Sequence, residues 1–214
     1  IYGKSGTTFA RDEYYDPSGK NPKKTTDWDE AKAMGNKLVE DYLNAFSGLA
    51  KWLTDTKKFA YKYGYVETMF GRRRRLPDLK SKVQTLKSNA ERQAINAPIQ
   101  GTGSDLTLLS LIQIQDWLTK NRMKSKMIAT VHDSIVFDVY IPELAIVAET
   151  VKNIMEHVHE PYIKTNIPII SELELGVNYG STFDVDVEDC KQILTVKDFQ
   201  KWNHDNKIHK FQKE

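Results

Sequence analysis

Apolar positions along the chain fall into helix-spaced and strand-spaced runs. Leu38, Tyr42 and Phe46 recur at four-residue intervals behind a polar start near Thr26 or Asp27, with Glu30 in the first turn, so a helix is predicted to open there. A second helical stretch follows Ser47 and runs to about Tyr63, where Gly64 stops it. Residues 65–77, YVETMFGRRRRLP, read as a hairpin turning at Phe70-Gly71. From Ser88 the pattern is helical through NAERQAIN, is interrupted at Pro98 and Gly101, and resumes from about Ser104 to Thr119 with Leu108, Leu111, Ile112 and Trp117 available for burial. Residues 126–131 and 135–140 predict two strands joined by no more than a turn, 142–160 a helix opened by Pro142, and 169–176 another strand. Residues 11–28 carry Pro17, Gly19 and Pro22 among charges and read as a surface excursion. The expected class is α+β, with helices packed on one face of an antiparallel sheet.

With 214 residues the chain is long enough for one sizeable core, or a main domain with a small appendage. Its net charge of +2 hides an asymmetry: residues 1–100 hold 19 Lys and Arg against 12 Asp and Glu, whereas residues 101–214 hold 12 against 17. The basic half suits a polyanion, and a solvated charged face accounts for it equally well. Cys190 is the only cysteine, which excludes an intrachain disulfide and a cysteine-based zinc site and fits a reducing compartment. The N-terminus carries no secretory signal, and no apolar run approaches the roughly 20 residues of a membrane helix. No membrane partner is expected.

Three polar constellations interrupt the apolar pattern. In ATVHDSIVFDV the turn between two strands holds His132, Asp133 and Ser134. A carboxylate at such a turn keeps its charge and meets solvent or a hard cation, although Asp is also an ordinary turn former. His132 serves equally as a turn or packing residue. Two-metal phosphoryl transfer needs several oxygen ligands, more than Asp133 alone supplies, and Asp138 lies too far along the next strand to join the same turn.

Arg92, Asn96 and Gln100 recur at four-residue spacing and share a face if helical geometry persists that far, in reach of a groove or phosphate. An exposed helical face gives the same spacing. The run Arg72, Arg73, Arg74 and Arg75 alternates in direction along its strand, so two side chains can face phosphate while two pair internally.

Taken in order, GYVETMFGRRRRLPDL, ERQAINAPIQGTGSD and TVHDSIVFDV, with the IYG start and DYLNAFSGLAKWL, resemble the C-terminal polymerase region of family A DNA polymerases, the bacterial DNA polymerase I type, over about residues 1–180. The resemblance implies a partial right-hand polymerase fold. Residues 1–63 would be the end of the fingers and connecting helices, 64–180 the palm with its catalytic hairpin, and 181–214 a C-terminal extension. It further implies template-directed DNA synthesis with two Mg²⁺ ions, Asp133 as catalytic acid and metal ligand, His132 at the primer end, Tyr2 in nucleotide selection, and Arg92, Asn96 and Gln100 on primer and template.

The implied partners are primer-template DNA, deoxynucleoside triphosphates and an upstream polymerase segment or subunit, in the cytoplasm of a bacterial or phage-infected cell. Ser134 stands where the family pattern usually has Glu, and Tyr179 where it often has Trp. The strand bearing the first catalytic Asp does not occur in the sequence, so the expectation is a fragment or the C-terminal product of a split polymerase gene, inactive alone. The rival expectation is a non-catalytic DNA-binding or assembly module derived from a palm.

Overall fold

A computed structural model of the chain describes residues 5–211, with side chains to residue 206. Its contacts divide into two compact units between Thr102 and Gly103.

In the first unit a short helix α1, Gly6–Phe9, continues as a π-helical turn over Ala10–Tyr14. The excursion that follows is closed by a bridge between Tyr15 and Thr25 and organised by Asp16, whose carboxylate accepts from Ser18 N–H, Ser18 hydroxyl and Asn21 N–H. Helix α2 spans Trp28–Ala45, and the Asp27 carboxylate caps it by accepting from the backbone of Asp29 and Glu30. Helix α3, Ser47–Tyr63, ends at Gly64, which takes the left-handed conformation (φ 76°) that a side chain would disfavour.

Strands β1 (Tyr65–Glu67) and β2 (Arg73–Arg75) then pair antiparallel, Tyr65 opposite Arg75 and Glu67 opposite Arg73. Ala60, Val66, Leu76 and Leu79 meet Ala90 and Ala94 in one buried cluster. Those two alanines belong to α4, Gln84–Lys120, which is a single helix of 37 residues.

The continuity of α4 corrects the predicted interruption at Pro98 and Gly101. Pro98 forfeits one backbone donor, but its carbonyl oxygen accepts from the Thr102 hydroxyl at 2.6 Å, and that hydroxyl in turn accepts from Met69 N–H at 3.0 Å. Gly101 is a point of close approach: a Cβ there would lie 2.6 Å from Thr68 Cγ2. Both residues that read as helix punctuation sit where the hairpin meets the helix.

In the second unit β3, Lys126–Val131, pairs with β4, Ser134–Asp138. A short 3₁₀ turn, Ile141–Glu143, leads into α5, Leu144–His157, a later and shorter helix than the 142–160 predicted. Strand β5, Leu173–Asn178, begins later than predicted and pairs with β6, Ser181–Val185. Helices α6, Val187–Gln192, and α7, Val196–Phe211, follow. The class is α+β, and the antiparallel strands form three separate two-stranded ladders among the described residues rather than one sheet.

Two cores hold this unit. Ile114 and Leu118 of α4 pack with Val147 and Val151 of α5, joined by Ile135, Phe137 and Val139. Leu144 and Ala148 on α5 pack with Cys190 and Ile193, joined again by Val139 and by Trp202. The described residues after 181 are therefore folded structure with buried anchors, and Trp202 stacks on Phe199 and meets Phe183 edge-on. Burial pushes the Cys190 thiol up to about 11, with Asp189 and Asp186 adding to the rise, so the side chain is a packing group rather than a thiolate.

Candidate functional site: an acidic hairpin turn and a basic hairpin

The β3–β4 ladder closes with Val131 opposite Ser134, so His132 and Asp133 alone form the loop. A loop of two residues needs unusual dihedrals to match strand twist. His132 supplies them with φ 57°, one of two non-glycine residues in that region among the described residues. The side chains of His132, Asp133 and Ser134 are all exposed. Ser134 donates its hydroxyl hydrogen back to the Val131 carbonyl at 3.1 Å, and Asp133 is the one carboxylate of the turn. Asp138, opposite Lys126, stands at the base of the ladder and away from the tip.

An exposed carboxylate suits a hard divalent cation as one oxygen ligand. It does not by itself make a closed site: among the described residues no three His, Cys, Asp or Glu side chains gather where they could hold a metal. The donor set thus fits one ligand position for Mg²⁺ and leaves the others to groups outside the turn.

The basic hairpin lies in the first unit, and its arginines are not equivalent. Arg72 donates to the Gly101 carbonyl at 3.1 Å. Arg73 bonds Glu67 at 2.6 Å and lies over the Tyr65 ring, 4.6 Å from its centre. Arg74 donates to the Gln93 side chain at 3.1 Å. Arg75 is exposed and has no hydrogen-bond or ion-pair partner among the described residues. Three of the four guanidiniums thus have internal partners, where the sequence suggested two.

Since α4 is unbroken, Arg92, Asn96 and Gln100 do fall along one face of it. Arg92 is exposed and donates to the Asn89 side chain, Asn96 is half-buried, and Gln100 is exposed. Immediately before Arg92, Glu91 accepts from the Tyr61 hydroxyl at 2.5 Å and lies 3.7 Å from Lys57. That bond to Glu91 pushes the Tyr61 phenol up to about 12, aided by desolvation and the carboxylate charge, so it stays a donor. The polar row and the arginine hairpin are brought together through Gly101, Gln93 and Thr102. The acidic turn belongs to the other unit. Tyr2 lies outside the described residues.

Thr102 was not singled out from sequence, yet its buried hydroxyl joins hairpin to helix. A Thr placed four residues after a helical Pro was the available signal.

Residues 20–181 match DNA polymerase family A. The chain belongs to that family. The DNA polymerase of Bacillus phage SP01 is 42% identical over 179 residues, covering 79% of this chain and 19% of that protein. The thermostable DNA polymerase I of Thermus aquaticus is 34% identical over 153 residues, covering 72% of this chain and 17% of its own length. This family A chain thus spans less than a fifth of these relatives. Among solved structures it is similar to the POL domain of Pol1 from M. smegmatis, in complex with DNA primer-template and dNTP, with a TM-score of 0.64 at 28% identity over 78% of this chain and 26% of that one. No helix of the described residues is long and apolar enough to cross a membrane.

Proposed function

We propose that these residues are the fingers-end and palm part of a template-directed DNA polymerase, which adds deoxynucleotides to a primer 3′ end by two-metal phosphoryl transfer. The observation that carries the reading is the exposed Asp133 carboxylate on a two-residue loop at the tip of the β3–β4 ladder. The likeness to a polymerase domain solved with primer-template and dNTP supports it.

Bound Mg²⁺ would supply Lewis-acid activation of the primer hydroxyl and charge neutralisation on the triphosphate. The chain's own residues do the rest of the work assigned here. Asp133 holds one ligand position, and the remaining catalytic Asp comes from polymerase residues upstream of this sequence. His132, fixed beside it by the turn, steadies the primer end. Arg92, Asn96 and Gln100 bear on primer and template, and Arg75 is the guanidinium of its run with no partner among the described residues to give up for a phosphate. Tyr2 takes part in nucleotide selection. With one carboxylate the chain alone does not polymerise, and its setting is the cytoplasm of a bacterial or phage-infected cell.

Ser134 favours a second reading, a palm-derived module that binds DNA without catalysis, because its hydroxyl is spent on Val131 rather than offered to a metal. Primer extension with Mg²⁺ decides between the two. The full-length protein carrying these residues is expected to extend a primer, and Asp133→Ala to abolish extension while leaving DNA binding intact. Binding without extension in the unaltered protein would establish the module instead.

A further inference from the structure

The β3–β4 hairpin is a two-stranded ladder with a register shift between Met127 and Ala129, which leaves Ile128 unpaired. Such a hairpin is marginal in water, and a one-residue slip would carry every side chain to the opposite face. Something must fix its register from outside the ladder. Packing of Ile135 and Phe137 does part of this.

The open end is closed by one side chain. Glu143, in the 3₁₀ turn after β4, reaches back to the segment that enters β3: its oxygens accept from Lys124 N–H at 3.0 Å, Ser125 N–H at 2.9 Å and the Ser125 hydroxyl at 2.7 Å. The same Ser125 oxygen accepts from Tyr140 N–H at 3.0 Å, and Ser125 is 2% exposed. Lys124 lies over the Tyr140 ring, 4.5 Å from its centre. A single carboxylate thus ties the residues just before β3 to those just after β4 through charge-assisted bonds, the strong kind. Slippage of either strand by one residue would break all of them together.

We propose that Glu143 is a positioning residue, pinning the β3–β4 register from its base and so fixing where the Asp133 carboxylate stands to receive a divalent cation. This rests on the polymerase reading for its purpose and on hydrogen-bond geometry for its mechanism. The burial of Ser125 and the donors gathered on Glu143 have no other evident use, since neither side chain is at the tip.

The test uses the full-length protein, with Glu143→Gln and the milder Ser125→Ala. Amide hydrogen exchange is followed at Val131 and Ser134, the pair that closes the ladder, with the β1–β2 hairpin as internal control, and Mn²⁺ affinity is read by water-proton relaxation. Exchange at the two β3–β4 amides is expected to rise about tenfold, with the control unmoved, and Mn²⁺ affinity to fall severalfold in step. Unchanged exchange would overturn the clamp. Faster exchange with unaltered Mn²⁺ affinity would overturn its link to Asp133. Absence of primer extension in the unaltered protein would sink the polymerase reading while both of these readouts still judged the clamp.

Discussion

The hairpin β1–β2 bears an arginine run and the hairpin β3–β4 an acidic turn, and they dispose of their charges in opposite ways. On the first, Glu67, Tyr65, Gln93 and the Gly101 carbonyl take up three of the four guanidiniums. On the second, the nearest hydroxyl turns back into the ladder and the carboxylate faces solvent alone. A charge with internal partners contributes to the fold; a charge held out on a two-residue loop contributes little to it and remains open to solvent. Counting charges in a sequence cannot separate the two roles, whereas their partners do.

The contrast can be broken most forcefully at the two tips. Asp133→Asn is expected to cut Mg²⁺-dependent primer extension by the full-length protein about a hundredfold or more, with unfolding free energy changed by no more than about 0.5 kcal/mol, as for other exposed sites. Arg73→Ala should behave inversely, lowering stability with little change in extension. Equal losses of activity in both variants would dissolve the distinction between structural and reserved charge.

The next effect concerns how the basic hairpin is seated. Gly101→Val brings a Cβ to 2.6 Å from Thr68 Cγ2, and overpacking of this kind costs about 1–3 kcal/mol in denaturant unfolding. No change in midpoint would mean that the hairpin yields easily. A smaller effect is predicted for Arg75→Ala, which should weaken DNA binding uniformly across sequences and reduce the salt slope by about 1, while Arg74→Ala leaves the slope nearly unaltered.

The smallest is a pH effect at the base of the acidic hairpin. Desolvation would raise the Glu143 carboxyl, but hydrogen bonds from Lys124 N–H and from Ser125, with the Lys124 charge, hold it below its usual range. A folded-state value below the unfolded one means that this contribution is fully present above about pH 4.5 and is lost as pH falls through the depressed value. Amide exchange at Val131 should therefore quicken in that acid window, and Glu143→Gln should abolish this dependence. A persisting acid response in the variant would assign it to another group.

Much of this was legible in the sequence where the cause is local. The Asp27 cap, the Gly64 stop, both hairpins and the His132-Asp133 turn follow from residue types within a few positions of one another. The unbroken course of α4 was not legible, because what explains Pro98 and Gly101 is a hairpin some 30 residues earlier, at Thr68 and Met69. Residues after 181 read as a tail of uncertain role because Cys190, Ile193 and Trp202 are sparse along the chain; they become anchors once α5 presents Leu144 and Ala148. Glu143 went unnoticed for the same reason, its donors lying 18 and 19 residues upstream.

His132 holds a backbone angle that favours glycine. Selection for heat resistance alone and selection for DNA synthesis would therefore pull this codon in different directions, the first toward the residue without a side chain and the second toward the imidazole. A laboratory lineage selected for stability alone should move to glycine at this position, whereas one selected for primer extension should keep the imidazole if its ring bears on the primer end.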